Sequence, residues 1–233
     1  MAEQLPLAVG LEDNARFSTF FAGPNEIAVR HLMSLVRERV PVTWIWGPQG
    51  SGKSHLLQAV SAEAAEQGLM TSYVPLGNAQ ASQPAILENC VDRDLVCIDD
   101  LQVAAGSDAW ELALFELFNG LNENGGALLV AANASPQETP IGLEDLASRL
   151  SWGPTFRLLA LSDGERIKAL RLRARHRGLE LPDEVGDWLI KRVPRDMNSL
   201  YRLLDALDTE SLAAGRRLTV PFVRGIFDKQ QSS

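Results

Sequence analysis

The chain has 233 residues, of which 45% are hydrophobic and 22% are charged, as expected for a soluble globular protein with one large domain or two modest ones. Its formal net charge of −8 argues against a broad basic surface for nucleic acid, and its two cysteines are too few for a disulfide framework. No apolar stretch reaches the length of a membrane span and no signal-peptide pattern opens the chain, so we expect a cytoplasmic protein without a membrane partner.

The first residues, 1–11, are predicted to form a flexible tail that carries a small apolar cluster. In this cluster Gln4 is followed by Leu5, Pro6 and Leu7. A disordered terminus gains nothing from exposed leucines unless something binds them, which makes these four residues a candidate docking motif. A tail docked on its own domain is the alternative, and four residues alone do not decide between the two.

Helices and strands alternate through the next part of the chain. A turn at Gly23-Pro24-Asn25 precedes a predicted helix over 26–40, and a predicted strand over 42–46 leads into a glycine-rich loop and a helix that ends at Gly68. The remaining predicted elements are strands over 70–76, 95–99 and 127–133, a short helix in the loop 80–89, and a helix over 109–122. This alternation predicts an α/β fold with a parallel sheet between helix layers.

The loop after the first strand fits the phosphate-loop pattern G-x-x-x-x-G-K-[ST] at every defined position, between a strand and a helix. Glycines let backbone N–H groups approach phosphate oxygens, and the following helix presents its positive end to the same anion. Lys53 would add a charge for the terminal phosphates, and the Ser54 hydroxyl would ligate Mg²⁺. A glycine-rich turn that matches by chance is the alternative. The predicted phosphate-binding residues are Gly47, Pro48, Gln49, Gly50, Ser51, Gly52, Lys53 and Ser54.

A second candidate for nucleotide chemistry follows the strand predicted over 95–99. The apolar run Leu95-Val96-Cys97-Ile98 ends in Asp99 and Asp100, as a buried parallel strand does when it delivers carboxylates to its carboxyl end. Ligands of open α/β sheets bind at that end. We therefore expect Asp99 to be a Mg²⁺ ligand and Asp100 to polarise an attacking water. The alternative is an acidic turn without a ligand.

The character of the chain changes after about residue 160, where only helical patterns follow. Helices are predicted over 163–177, 183–192 and 196–213, with a short one from Pro221, separated by glycine and proline. We expect a tail over 1–11, an α/β nucleotide-binding domain over 12–160 and a small all-helical lid over 161–233.

The motifs together resemble the AAA+ module of the DnaA family, in order and in spacing. The resemblance covers about residues 11–228 and rests on the segments 17–25, 47–57, 98–102 and 148–153. It implies an AAA+ phosphate-loop core followed by a helical lid.

The resemblance also implies roles for single residues. Arg149 matches the arginine finger of the family, which acts in trans on the ATP of a neighbouring subunit; a surface ion pair with Glu144 or Asp145 is the alternative. Asn133 matches the sensor position between the carboxylate strand and the finger, with a strand-capping asparagine as the alternative. His55 follows the phosphate loop within the matching segment and is counted by this resemblance among the nucleotide-binding residues.

Three further residues bear on the bound nucleotide. Asn25 lies in the turn that is expected to contact the base. In the lid, Asn198 stands where the family has a nucleotide-sensing arginine, and Arg195 lies three residues earlier. Either Arg195 substitutes, or the chain senses its nucleotide weakly. We expect a mainly structural adenine nucleotide, ADP rather than ATP, held with Mg²⁺, and little ATPase turnover by the chain itself.

The partners that the resemblance implies are DnaA and the polymerase sliding clamp. Residues 4–7 are similar to the short motif that docks on the clamp, and the helix-turn-helix domain of the initiator is absent after the lid, so no sequence-specific DNA binding is expected. A protein of this kind would promote hydrolysis of DnaA-bound ATP and so inhibit re-initiation, and it would reach the nucleoid through the clamp. A nucleotide-dependent homo-oligomer stays open.

Two other function classes are compatible with a phosphate loop. The first is an autonomous ATPase of the initiator or helicase-loader type acting on DNA, which the acidic charge disfavours. The second is a nucleotide or metabolite kinase, which the all-helical lid and the segment 148–153 disfavour.

Overall fold

The computed structural model describes residues 15–38, 40–77, 83–194 and 196–231. These residues fall into two compact units. One contains Asn25–Leu159 together with residues 15–17, and the other contains the chain from Ala160 onward together with Ser18–Pro24.

The first unit is built on five parallel strands. In chain order they are β1 Val42–Trp46, β2 Thr71–Pro75, β3 Leu95–Asp99, β4 Ala127–Ala132 and β5 Thr155–Arg157. Their order in the sheet is β2-β3-β4-β1-β5. Strand β4 therefore lies between β1, which precedes the glycine-rich loop, and β3, whose end carries the paired carboxylates. The strands β3 and β4 are buried along their whole length, which explains why both read as continuous apolar runs.

Helices cover both faces of this sheet. They are α1 Glu26–Glu38, α2 Lys53–Glu66, α3 Asp108–Asn124 and α4 Glu144–Leu150. Helix α2 contacts α1, β2, β3 and β4, whereas α3 packs on β4 and α4 packs on β1. The core beneath α3 and α4 includes Trp44, Ile98 and Phe118. Because side chains alternate along a strand, the neighbouring residues such as Ile45 and Cys97 point to the other face.

The structure confirms the parallel α/β architecture and nearly all of the predicted helices and strands. Among the α-helices and strands of the described residues, α4 and β5 were not predicted. Helix α4 has only seven residues, too few for a clear helical period. Strand β5 has three residues with an exposed, intermediate, exposed pattern, because it lies at the sheet edge beside β1.

The second unit is a bundle of four helices, as predicted for the lid. They are α5 Asp163–His176, α6 Asp183–Arg192, α7 Met197–Ala214 and α8 Val220–Gln231. Their core is aliphatic, with Leu170, Leu204 and Val223 fully buried. Ser162 and Glu165 form a capping box at the start of α5. Within the described residues, no helix combines the length and the apolarity needed to cross a bilayer.

Candidate nucleotide-binding site

The phosphate loop lies at the carboxyl edge of the sheet, between β1 and the first residue of α2. The N–H of Gly47 donates to the carbonyl of Ala132, 3.4 Å away at the end of the neighbouring strand β4. Gly50 and Gly52 have φ angles of +77° and +96°, which side chains with a Cβ rarely adopt. The loop therefore needs its glycines for its backbone shape, and it presents the N-terminus of α2 to the carboxyl edge.

Two side chains of the loop indicate an anion site. The Nζ of Lys53 is nearly buried and donates to the carbonyls of Gly47 and Pro48 at 2.8 and 3.1 Å. Burial lowers the pKa of Lys53, and the charges of Asp100 and Asp99 act in the opposite direction. The Oγ of Ser51 is buried and has no hydrogen-bond partner among the described residues. A buried lysine beside an unsatisfied hydroxyl fits a phosphate group.

Asp99 ends β3 and is 2% exposed. Its Oδ2 accepts from the Tyr73 hydroxyl at 2.8 Å, and its Oδ1 accepts from the Asp100 N–H at 3.0 Å. Burial raises the pKa of Asp99, while hydrogen bonds from Ser54 and Tyr73 oppose the rise. The contact with Ser54 brings together the two predicted Mg²⁺ ligands. The described residues contain no group of three or more His, Cys, Asp or Glu side chains that could hold a metal ion, so Mg²⁺ here would be held by these two side chains, phosphate oxygens and water.

Asp100 and Asn133 are joined through a third side chain that sequence reasoning did not single out. Asp100 adopts a left-handed backbone, with φ of 56°. The Nε2 of Gln102 donates to Asp100 Oδ1 at 3.0 Å, and its Oε1 accepts from the Asn133 N–H at 3.1 Å. Asn133 itself is exposed just after β4. The structure thus brings Asp100 and the backbone of Asn133, the predicted sensor residue, to the same edge as the phosphate loop.

Asn25 and His55 are bonded within the protein. The Asn25 amide donates to the Leu159 carbonyl at 3.0 Å and accepts from the Leu159 N–H at 2.7 Å, so this buried side chain anchors its turn to the backbone. The Nε2 of His55 lies 3.0 Å from the Arg16 carbonyl. In this structure both side chains are thus engaged by the backbone of the protein, and a nucleotide contact by either residue stays a prediction.

Arg149 is the penultimate residue of α4 and does not form the ion pair considered as its alternative role. Its guanidinium stacks 4.3 Å from the centre of the Phe115 ring, and its Nη1 lies 3.3 Å from the Asp145 carbonyl. Among the ion pairs of the described residues, none joins Arg149 to Glu144 or Asp145. Its charge is therefore not neutralised by either neighbour.

Arg149 is followed by a turn at the opposite edge of the sheet from the phosphate loop. The turn that follows it contacts the first residue of β1, since a Cβ on Gly153 would come within 1.7 Å of the Val42 carbonyl. The phosphate loop begins after the last residue of the same strand, Trp46. Five strand residues at about 3.3 Å each place the two ends roughly 16 Å apart. The backbone just after Arg149 is thus anchored away from the phosphate loop of its own chain.

The remaining predicted site residues belong to the lid and to the tail. Asn198 is exposed near the start of α7. Arg195 and the tail motif Gln4, Leu5, Pro6 and Leu7 lie outside the described residues. Tyr73, Gln102 and Glu111 make hydrogen bonds around the site that no sequence motif revealed, although Gln102 belongs to a segment that resembles the DnaA family.

Two family models match the chain and together span most of it. The model of the bacterial DnaA ATPase domain matches residues 11–157. The model described as the lid domain of Hda matches residues 163–227.

Solved structures of DnaA proteins share the fold. Domain III of the Thermotoga maritima replication initiation protein DnaA is 21% identical, with a TM-score of 0.77, over 93% of this chain and 97% of that chain. A DnaA bound to AMPPCP and single-stranded DNA is 23% identical, with a TM-score of 0.72, over 96% of this chain and 70% of that chain. AMPPCP-bound DnaA from Aquifex aeolicus is 23% identical, with a TM-score of 0.69, over 84% of this chain and 66% of that chain.

Proposed function

The chain belongs to the family of bacterial DnaA ATPase domains, and from this premise we propose that it is a nucleotide-binding regulator of replication initiation that promotes hydrolysis of the ATP bound to DnaA. The match of residues 163–227 to the Hda lid supports a regulatory member of the family. We take the tail as residues 1–11, the ATPase-type domain as 12–160 and the lid as 161–233.

The phosphate loop is the proposed site of an adenine nucleotide with Mg²⁺. Lys53, the backbone of residues 47–52 and the unsatisfied Ser51 hydroxyl would hold phosphate oxygens. Ser54 and Asp99 would hold the cation, which supplies positive charge against the phosphates. Two DnaA structures with this fold are described as bound to AMPPCP, which agrees with a nucleotide at this position.

The observation that carries the proposed function is the place of Arg149. Its guanidinium stacks on Phe115, the turn after it is anchored at the edge of the sheet opposite its own phosphate loop, and in the described structure no ion pair with Glu144 or Asp145 holds it. A cation in this position is suited to a nucleotide carried by another subunit. Stacking on Phe115 restricts the side chain without neutralising it, which lowers the entropy lost when the arginine binds an anion.

The chemistry of a guanidinium explains what Arg149 would contribute. During phosphoryl transfer, negative charge develops on the oxygens around the γ-phosphorus. A planar, permanently charged donor group placed against these oxygens stabilises the transition state more than the ground state. Arginine fingers of nucleotide hydrolases contribute about 10³–10⁵ in rate.

We propose that the chain's own nucleotide is mainly structural, ADP rather than ATP, with slow turnover. The reason is that Asn198 stands at the position where the family supplies an arginine that senses the nucleotide. The test is Asn198→Arg, with affinities for ADP and ATP measured by calorimetry. Unchanged affinities would contradict the role assigned to this position.

The partners that we propose are ATP-bound DnaA and the DNA-loaded sliding clamp. The tail residues Gln4, Leu5, Pro6 and Leu7 would dock on the clamp, which would bring the chain to the nucleoid without direct sequence-specific DNA contacts.

A second candidate is an autonomous ATPase of the initiator or helicase-loader type. The groups that hydrolysis would need favour it, since Lys53, Asp99, Asp100 and the backbone of Asn133 lie at one sheet edge. Steady-state ATP hydrolysis by the chain alone, with and without DNA, separates this candidate from the first. DNA-stimulated turnover would support the autonomous ATPase.

The deciding experiment measures hydrolysis of radiolabelled ATP pre-bound to DnaA, with clamp loaded on DNA and this protein added. Wild type is compared with Arg149→Ala, with Arg149→Lys, with a Gln4→Ala/Leu7→Ala double variant and with Arg37→Ala. Arg37 is an exposed arginine on α1, so Arg37→Ala is a control that removes one positive charge, as Arg149→Ala does, but at a different helix. We expect stimulation by wild type and Arg37→Ala only. No stimulation by wild type would refute the proposed function.

A further inference from the structure

Glu111, in the first turns of α3, is a buried carboxylate that joins two loops. It is 3% exposed. Its Oε1 accepts from the N–H groups of Gly106 and Gly142 at 2.7 and 3.0 Å, and its Oε2 accepts from the N–H of Leu143 at 2.7 Å. Gly106 belongs to the loop after Asp100, whereas the other two residues directly precede α4. One side chain therefore ties the loop next to the nucleotide site to the start of the helix that bears Arg149.

The negative charge of Glu111 is balanced by backbone dipoles. Among the ion pairs that the described part of the chain forms, none involves this carboxylate. Burial acts to raise the pKa of Glu111, but the three N–H bonds outweigh it and hold the pKa below its usual value. A protonated carboxyl would turn one acceptor into a donor, so the ionised form is the one that satisfies all three N–H groups.

Short hydrogen-bonded turns connect Gly106 to the nucleotide site. The Val103 N–H donates to the Asp100 carbonyl at 2.9 Å, and the Ser107 N–H donates to the Ala104 carbonyl at 3.2 Å. The side chain of Gln102 adds the link between Asp100 and Asn133. If Asp100 moved upon nucleotide binding, the two tight turns would pass the movement on to Gly106, whose N–H donates to Glu111.

On the other side, Glu111 sets where α4 begins. The Ala147 N–H donates to the Leu143 carbonyl at 3.0 Å, which continues the helix from the anchored residue. Helix α4 has seven residues, with Leu146 and Leu150 buried in the core. Six residues at 1.5 Å each separate Leu143 from Arg149, about 9 Å along a rigid helix. In a helix that moves as one body, a shift at Leu143 would reach Arg149.

We propose that Glu111 is a positioning residue that couples the loop after Asp100 to α4, so that the nucleotide held by this chain sets how Arg149 is presented to a partner's ATP. This inference rests on the proposed function, in which Arg149 acts on another protein's nucleotide. Glu111 itself touches neither nucleotide.

The first test needs only this protein and ADP with Mg²⁺. Hydrogen exchange followed by mass spectrometry measures the protection of peptides that contain residues 142–150. We expect ADP to slow exchange at the 142 and 143 amides of the wild type by about fivefold or more, a coupling of ordinary allosteric size. Unchanged exchange upon saturation with ADP would overturn the coupling, whatever the variants do.

The second test compares Glu111→Gln with Glu116→Gln, an exposed position on the same helix. Glutamine keeps one carbonyl oxygen but places an NH₂ against a backbone N–H, so at least one of the three bonds is lost. We expect Glu111→Gln to bind ADP as the wild type does, to lose the ADP-dependent protection at 142–143 and to stimulate DnaA-bound ATP hydrolysis about tenfold less or worse. Glu116→Gln should match the wild type in all three measurements.

The two tests separate the possible failures. If wild type shows the ADP-dependent protection but does not stimulate hydrolysis, the proposed function fails and the coupling stands. A Glu111→Gln variant that keeps the protection would show that Glu111 only stabilises the fold, which overturns the inference. If that variant does not fold, the wild-type exchange experiment still decides.

Discussion

Gly153→Ala is a direct test of the packing that holds the Arg149 turn against the sheet. A Cβ at this position would lie 1.7 Å from the Val42 carbonyl oxygen and 2.7 Å from its carbon, whereas an ordinary contact is at least 3.4 Å. Val42 opens β1, which is paired on both sides by β4 and β5, so the strand has little freedom to move. The turn must therefore move away from Val42 by about the length of a C–C bond to restore an ordinary contact.

The stability cost follows from this overlap. Overpacking costs about 1–3 kcal/mol, and we expect roughly the upper limit because the opposing atom is backbone. At about 2–4 °C per kcal/mol, the melting temperature should fall by roughly 6–12 °C. Calorimetry or circular dichroism against temperature measures the fall.

The same change should affect function through Arg149, because the Trp152 N–H donates to the Arg149 carbonyl at 3.1 Å within this turn. A displacement of about 1 Å can cost on the order of 100-fold in rate, so stimulation of DnaA-bound ATP hydrolysis should fall by about that factor while ADP affinity is kept. Gly164→Ala is the control, since a Cβ there meets nothing within 4 Å. Equal melting temperatures for Gly153→Ala and Gly164→Ala would show that the close approach of Gly153 to Val42 does not limit the side chain at this position.

Two further predictions concern hydrogen bonds to carboxylates. Tyr73→Phe removes the 2.8 Å bond to Asp99; the pKa of Asp99 should rise further, and the Mg²⁺ dependence of nucleotide binding should weaken by about tenfold in calorimetric titrations, with Mg²⁺-free affinity as the control. Asp196→Ala removes the side chain that accepts from the Ser199 N–H at 2.8 Å at the start of α7, and should cost about 1 kcal/mol at pH 7. Hydrogen bonds from Ser199 lower the pKa of Asp196, so its contribution is present above the usual aspartate range and is lost as pH falls through the lowered value. The melting temperatures of wild type and Asp196→Ala should therefore converge at low pH. A difference that persisted there would contradict the role assigned to Asp196.

The local elements with strong periodic or glycine signals could be predicted from the sequence. Strands β3 and β4 are buried on both faces, so each appears as an uninterrupted apolar run with a polar residue at its end or directly after it. The phosphate loop carries its own pattern of glycines and lysine. The lid helices show the same agreement, because apolar residues at helical spacing face one aliphatic core. Each of these patterns lies within one short stretch of sequence, so it can be recognised without the tertiary structure.

The arrangement of Arg149 against the rest of the molecule could not be predicted in this way. Its helix is short, its turn depends on the contact between Gly153 and Val42, and Glu111 bonds to residues 31 and 32 positions away. Buried backbone N–H groups need acceptors wherever the fold brings one within reach, and no sequence pattern specifies that distance. The residues of the predicted nucleotide site are thus visible in the chain itself, whereas the anchoring of the turn after Arg149 and the three N–H bonds to Glu111 arise only when the sheet and its helices pack.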